Sequence, residues 1–208
     1  MTASEMSVKL LTALMVQEIA IFSLGAWMLH RRRVTLGEAG LVKPAFQDVK
    51  KGILLGLFLF CAGALVAIVQ MSILKTVLSP HLASQLNQAS GRSGADKVYG
   101  ILKLPWARML FILIGMTVAP IAEETLFRGW LYAAFKARIG VVPAVIASSL
   151  LFALAHLTLL QIAPIFAIGV ILTVIYETTH SLTITAIMHS VNNTLSFGLL
   201  MALSHSVR

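Results

Sequence analysis

Two carboxylates stand side by side at Glu123-Glu124, at the end of an apolar run, in a chain with eight acidic residues in all. The local sequence is Ala119-Pro120-Ile121-Ala122-Glu123-Glu124-Thr125-Leu126-Phe127-Arg128-Gly129. A carboxylate in such surroundings is expensive unless it is paired or takes part in a reaction. Residues four apart share a helix face, so Glu124 and Arg128 form a natural ion pair, acidic member first, which is the better orientation. That pairing makes Glu124 and Arg128 supporting residues. It leaves Glu123 about 100° round the helix, with Leu126 and Phe127 where a cation would have to stand. A carboxylate without a counter-charge in an apolar site is a candidate general base.

Two later segments supply possible partners at the same spacing. Phe152 and His156 lie four apart in Ser-Leu-Leu-Phe-Ala-Leu-Ala-His-Leu, and everything else around His156 is apolar. Phe152 would wall a site and limit water. His189 and Asn193 repeat the spacing on the last apolar segment. An imidazole N–H and an amide NH2 on one face are two donors that can hold a developing oxyanion. Asn192 is expected to face elsewhere, as a cap or an interhelical bond. Each residue alone has a dull explanation, a core aromatic or a hydrogen bond between helices. Together, a carboxylate, two histidines and an amide on three segments are hard to attribute to packing.

Other chemistries have less support. No G-x-S-x-G, no H-E-x-x-H and no Gly-rich phosphate loop is present. Ser148-Ser149 and Ser190 stand in no nucleophile motif. Glu123, His156 and His189 could instead form a two-histidine, one-carboxylate zinc set with water in the fourth place. Either version hydrolyses by an activated water, and the favoured one uses no cofactor.

The elements that must position these groups are membrane helices. The chain has 208 residues, 58% hydrophobic and 12% charged, with a mean hydropathy of +0.90. Soluble domains carry about 25% charged residues. The expected fold is therefore an all-α polytopic bundle of six to seven transmembrane helices with the polar site between them. Apolar segments are read at 8–29, 52–78, 105–136, 142–159, 162–176 and 182–203. The third would be roughly 45 Å long as one helix, and Pro120 inside it predicts a kink or break just before Glu123. Residues 1–104 form an N-terminal set of helices and loops, and 105–208 the catalytic core of one integrated domain. The first segment is long enough to span and is followed by Arg31-Arg32-Arg33, so it is read as a retained helix rather than a cleaved signal. Glu18, halfway along it, is a polar contact to another helix or a support for the site.

The net charge of +8 clusters at Arg31-Arg32-Arg33, Lys43, Lys50 and Lys51, between two apolar runs. Such clustering holds a loop on the cytoplasmic side against anionic lipid. It comes without the aromatic interleaving of a nucleic-acid surface, and no nucleic-acid partner is expected. Cys61 is the one cysteine and is read as a packing residue. The polar stretch 80–104 is read as a solvated loop.

The ordered set Glu-Glu-x-x-x-Arg, Phe-x-x-x-His and His-x-x-x-Asn resembles the CPBP family, the CAAX-type prenyl endopeptidases and bacteriocin-processing proteins also called the Abi family. The resemblance covers residues 109–199. It implies an intramembrane glutamate protease in which Glu123 and His156 activate water, His189 and Asn193 form the oxyanion site, and Glu124 and Arg128 support them. Its substrate would be a membrane-associated peptide or protein, and its location a bacterial plasma membrane. A non-catalytic immunity or binding protein of the same fold is the alternative, and a carrier a more distant one.

Overall fold

Leucine, isoleucine, valine and alanine dominate every segment and leave no internal pattern for a sheet, and the chain satisfies its backbone polar groups within helices, as a hydrocarbon environment demands. The computed structural model describes residues 3–77, 85, 104–156 and 159–206. Among them are six helices, the lower end of the expected number: α1 Ala3–Arg31, α2 Phe46–Val77, α3 Pro105–Ile139, α4 Val141–Ala155, α5 Ile162–Thr179 and α6 Leu182–Ser206. The bundle is all-α. Four of these helices (α1, α2, α3 and α5) are long and apolar enough to cross a membrane. The 15 residues of α4 are too few for a full span, and His189, Asn192 and Asn193 lower the apolarity of α6. The polar stretch read at 80–104, and Arg208, lie outside the described residues, apart from positions 85 and 104.

Large apolar side chains cover the outside, among them Val16, Ile19 and Trp27 on α1 and Phe58, Leu65 and Ile68 on α2. With lipid as apolar as leucine, close approach rather than hydrophobic exclusion holds such helices together. Gly52, Gly56 and Gly63 lie on one buried face of α2. A methyl group added at Gly56 would stand 2.6 Å from Val191 Cβ and 3.0 Å from the Met188 carbonyl, so α6 packs directly on the α2 backbone.

Pro105 opens α3 in its first turn, where a missing N–H is tolerated. The expected break is absent: α3 continues through Pro120 as one helix. The backbone instead widens to π geometry over Ile114–Val118, and again over Thr125–Tyr132 after the glutamates. A π turn makes room for the proline ring, which would otherwise press on the carbonyl one α turn back.

The basic connection is shorter than read from the sequence, because α2 begins at Phe46 and takes in Lys50 and Lys51. Thr35 and Glu38 close a reciprocal box, Thr35 N–H donating to Glu38 Oε2 at 2.7 Å and Glu38 N–H to Thr35 Oγ1 at 3.2 Å. The backbone and hydroxyl donors of Thr35 hold the exposed Glu38 carboxyl below the usual range. This loop docks on the α5–α6 turn: Thr183 Oγ1 donates to the Val42 carbonyl at 2.7 Å, and Tyr176 OH to that of Ala39 at 3.1 Å. Lys136 pairs with Glu177 at the same end, Nζ to Oε1 2.6 Å. At the opposite end Gln70 Nε2 donates to the Leu160 carbonyl at 2.8 Å.

Candidate active site

The second glutamate is a buried structural charge. Arg128 Nη1 donates to Glu124 Oε1 at 2.8 Å, with both side chains 1% exposed. Removing two charges from solvent is favourable only when the remaining donors are used. Arg128 Nη2 reaches the Gly169 carbonyl at 3.1 Å, Nε reaches Thr173 Oγ1 at 3.4 Å, and the guanidinium carbon lies 4.4 Å from the centre of the Phe152 ring. Gly169 permits this closeness, since a methyl group there would meet Phe152 Cδ1 at 3.3 Å. Phe152 thus supports the arginine as well as walling the site.

His189 joins the same network. Its Nδ1 lies 3.0 Å from Glu124 Oε1, and its Nε2 lies 3.7 Å from Glu123 Oε2. The imidazole is therefore held between the two adjacent carboxylates. With Glu124 ionised against Arg128, Nδ1 carries the proton that bonds it, which fixes the ring and aims Nε2 at Glu123. Glu123, without a partner on its own helix, finds this one across the bundle. It is His189, not His156, that lies against it.

His156 ends α4 and turns back on its own helix, its Nδ1 2.8 Å from the Phe152 carbonyl. A carbonyl only accepts, so Nδ1 is the donor and Nε2 of the neutral ring carries the free lone pair. The ring packs edge-on to Phe152 at 4.8 Å, and Phe152 faces His189 at 5.8 Å, so one aromatic side chain separates and orients both imidazoles.

Asn193 is placed by the irregularity in α3. Ala119 N–H bonds to the Ile114 carbonyl, one residue further back than in an α-helix. By the same shift the Gly115 carbonyl would take its bond from residue 120, a proline with no N–H. Asn193 Nδ2 donates to that Gly115 oxygen at 2.9 Å. Asn192 does not face elsewhere: it is buried, lines the same space, and donates Nδ2 to Asn193 Oδ1 at 3.3 Å. The Asn193 amide is thereby oriented, with its second N–H unspent.

Glu123, Phe152, His156, His189 and Asn193 all border one cavity of about 640 Å³. Glu18 of α1 borders it as well, 4% exposed. The Oε2 atoms of Glu18 and Glu123 are buried without a hydrogen-bond partner. A buried carboxylate oxygen needs a donor, and a hydrated cavity supplies one. Glu18 thus reaches the site rather than a side chain of another helix; its only sequence signal was an acid in mid-span. Among the described residues no three His, Cys, Asp or Glu side chains are grouped to hold a metal ion.

Residues 105–195 match the family model described as type II CAAX prenyl endopeptidase Rce1-like. No curated protein and no solved structure matches the chain.

Proposed function

We propose, from the match of residues 105–195 to the type II CAAX prenyl endopeptidase Rce1-like family, that this multi-pass membrane protein is an intramembrane endopeptidase using a glutamate-activated water. Glu123 takes a proton from a water held in the cavity, and His156 Nε2 accepts the water's other hydrogen bond. The water oxygen bonds to the scissile carbonyl carbon. The developing oxyanion is held by the free N–H of Asn193, with His189 beside it completing the oxyanion site. Collapse breaks the C–N bond, and the proton gained from water passes to the leaving amine. Glu124, Arg128 and Phe152 hold these groups in place.

The observation that carries this reading is the convergence of Glu123, His156, His189 and Asn193, from three helices, on a single cavity. The substrate is a membrane-associated peptide or protein, and the setting is a bacterial plasma membrane. Comparison of membrane peptides from cells expressing the wild-type chain and Glu123→Gln tests it. Peptides cut only in wild-type cells are expected, and Glu123→Gln should lower their yield at least ~100-fold, the lower range for losing a general base. Identical peptide profiles with a folded variant would leave a binding or immunity protein of the same fold.

A further inference from the structure

The end of α1 is capped by a residue ill suited to the conformation. Val34 N–H bonds to the Leu29 carbonyl at 3.1 Å and Arg33 N–H to that of His30 at 2.9 Å. These paired bonds close a helix when the residue just beyond it turns left-handed. That residue is Arg33, at φ 60°, where glycine carries no penalty and a longer side chain does. Val34 packs on Leu29 beneath the turn, so the cap is otherwise regular. Strain of this kind is kept where the side chain has a use. Arg33 borders, with His30 and Arg31, a cleft of about 640 Å³ whose apolar walls include Ala26, Val34 and Leu36. Arg32, between the two arginines, does not border it.

The charges of this cleft are uncommitted. Glu38 is the only acid between α1 and α2, and its Oε2 accepts from the N–H and the hydroxyl of Thr35 at 2.7 and 2.8 Å. Among the described residues no carboxylate pairs with Arg31 or Arg33. Trp27, one turn before Arg31, sets the depth. Its ring is half exposed, with the Arg31 guanidinium 5.4 Å from its centre, and tryptophan on a spanning helix marks the headgroup level. We propose that the cleft binds one anionic phospholipid, its phosphodiester held by Arg31 and Arg33 and the start of an acyl chain lying against Val34 and Leu36. Arginine presents paired donors that match phosphate oxygens. A zwitterionic lipid fits worse, because its ammonium would stand among His30 and two arginines with no acid to receive it. The apolar walls and the position at the membrane surface favour lipid over free phosphate. The cleft shares no residue with the cavity that holds Glu123, and its occupant does not depend on the endopeptidase reading.

Native mass spectrometry of the full chain in a maltoside detergent tests this, with dioleoyl phosphatidylglycerol and dioleoyl phosphatidylcholine as probes. The wild-type protein should retain one phosphatidylglycerol, preferred over phosphatidylcholine by roughly tenfold, the scale of one hydrogen bond to a charged group. Glycine suits the backbone at position 33, so Arg33→Gly should melt no lower than wild type without lipid and yet lose the preference. Arg31→Gln should lose it as well, and decides the result if Arg33→Gly fails to fold. Arg32→Gln removes the same charge outside the cleft and should keep the preference. Three results would each overturn the site: equal loss in Arg32→Gln, which would mean diffuse surface charge; unchanged preference in Arg31→Gln and Arg33→Gly; or displacement of the lipid by equimolar inorganic phosphate.

Discussion

Asn193 Nδ2 donates at 2.9 Å to the Gly115 carbonyl, the backbone acceptor that Pro120 leaves without an N–H. A proline one turn before the glutamates thus both widens α3 and fixes the amide facing them. The irregular backbone is tolerated at membrane depth because it borders a cavity and a side chain of α6 completes it.

This dependence can be measured as a coupling. Asn193→Ala should destabilise the protein by about 1–3 kcal/mol, the cost of an unpaired buried carbonyl. In a Pro120→Ala background, where residue 120 regains an N–H, the same change should cost less, with a coupling of about 1 kcal/mol. Thermal unfolding of the four proteins in detergent provides the cycle, and strict additivity would sever the link between Pro120 and Asn193.

Glu124→Ala strands Arg128 and also removes the acceptor for His189 Nδ1. A loss of about 3–5 kcal/mol is expected from the uncompensated buried charge. Replacing both members with apolar residues, Glu124→Leu with Arg128→Met, should recover most of the stability while activity stays lost, because His189 remains unheld. Normal stability of Glu124→Ala in a detergent melt would refute the ion pair as a structural element.

Glu18 holds a carboxylate in an otherwise apolar span, so Glu18→Leu should raise stability by about 1–3 kcal/mol, the usual cost of burying a polar group. Peptide cleavage should fall at the same time, since the cavity loses an acid beside Glu123. Higher stability with unchanged cleavage would make Glu18 a bystander.

Metal removal separates the two hydrolytic mechanisms. After chelation, with metal content measured by elemental analysis, cleavage by the metal-free protein should stay within about twofold of the untreated enzyme, because no proton-transfer step here calls on a Lewis acid. Loss of activity restored by zinc would mean that Glu123, His156 and His189 rearrange into ligands.

Much was legible without coordinates. Hydropathy fixed the helical class and the positions of the segments, because a bilayer allows little else for runs so apolar. The i, i+4 geometry of a helix was enough to pair Glu124 with Arg128, since both partners lie on one element. The residues with spare polar chemistry were recognisable for the same reason: in so apolar a chain, acids and imidazoles stand out.

What lay between helices was decided only by packing. No periodicity reveals that His189, 65 positions from Glu124, binds it and lies against Glu123 while His156 turns back to its own helix. Pro120 suggested a break, but whether a helix breaks or widens depends on what receives the freed carbonyl, and here that is Asn193 on another helix. Asn192 was assigned to another face because adjacent residues diverge by about 100°; the cavity is broad enough to accept both. Local geometry follows from the chain's own bonds, whereas these contacts depend on how six helices settle against one another, and only the folded bundle contains that.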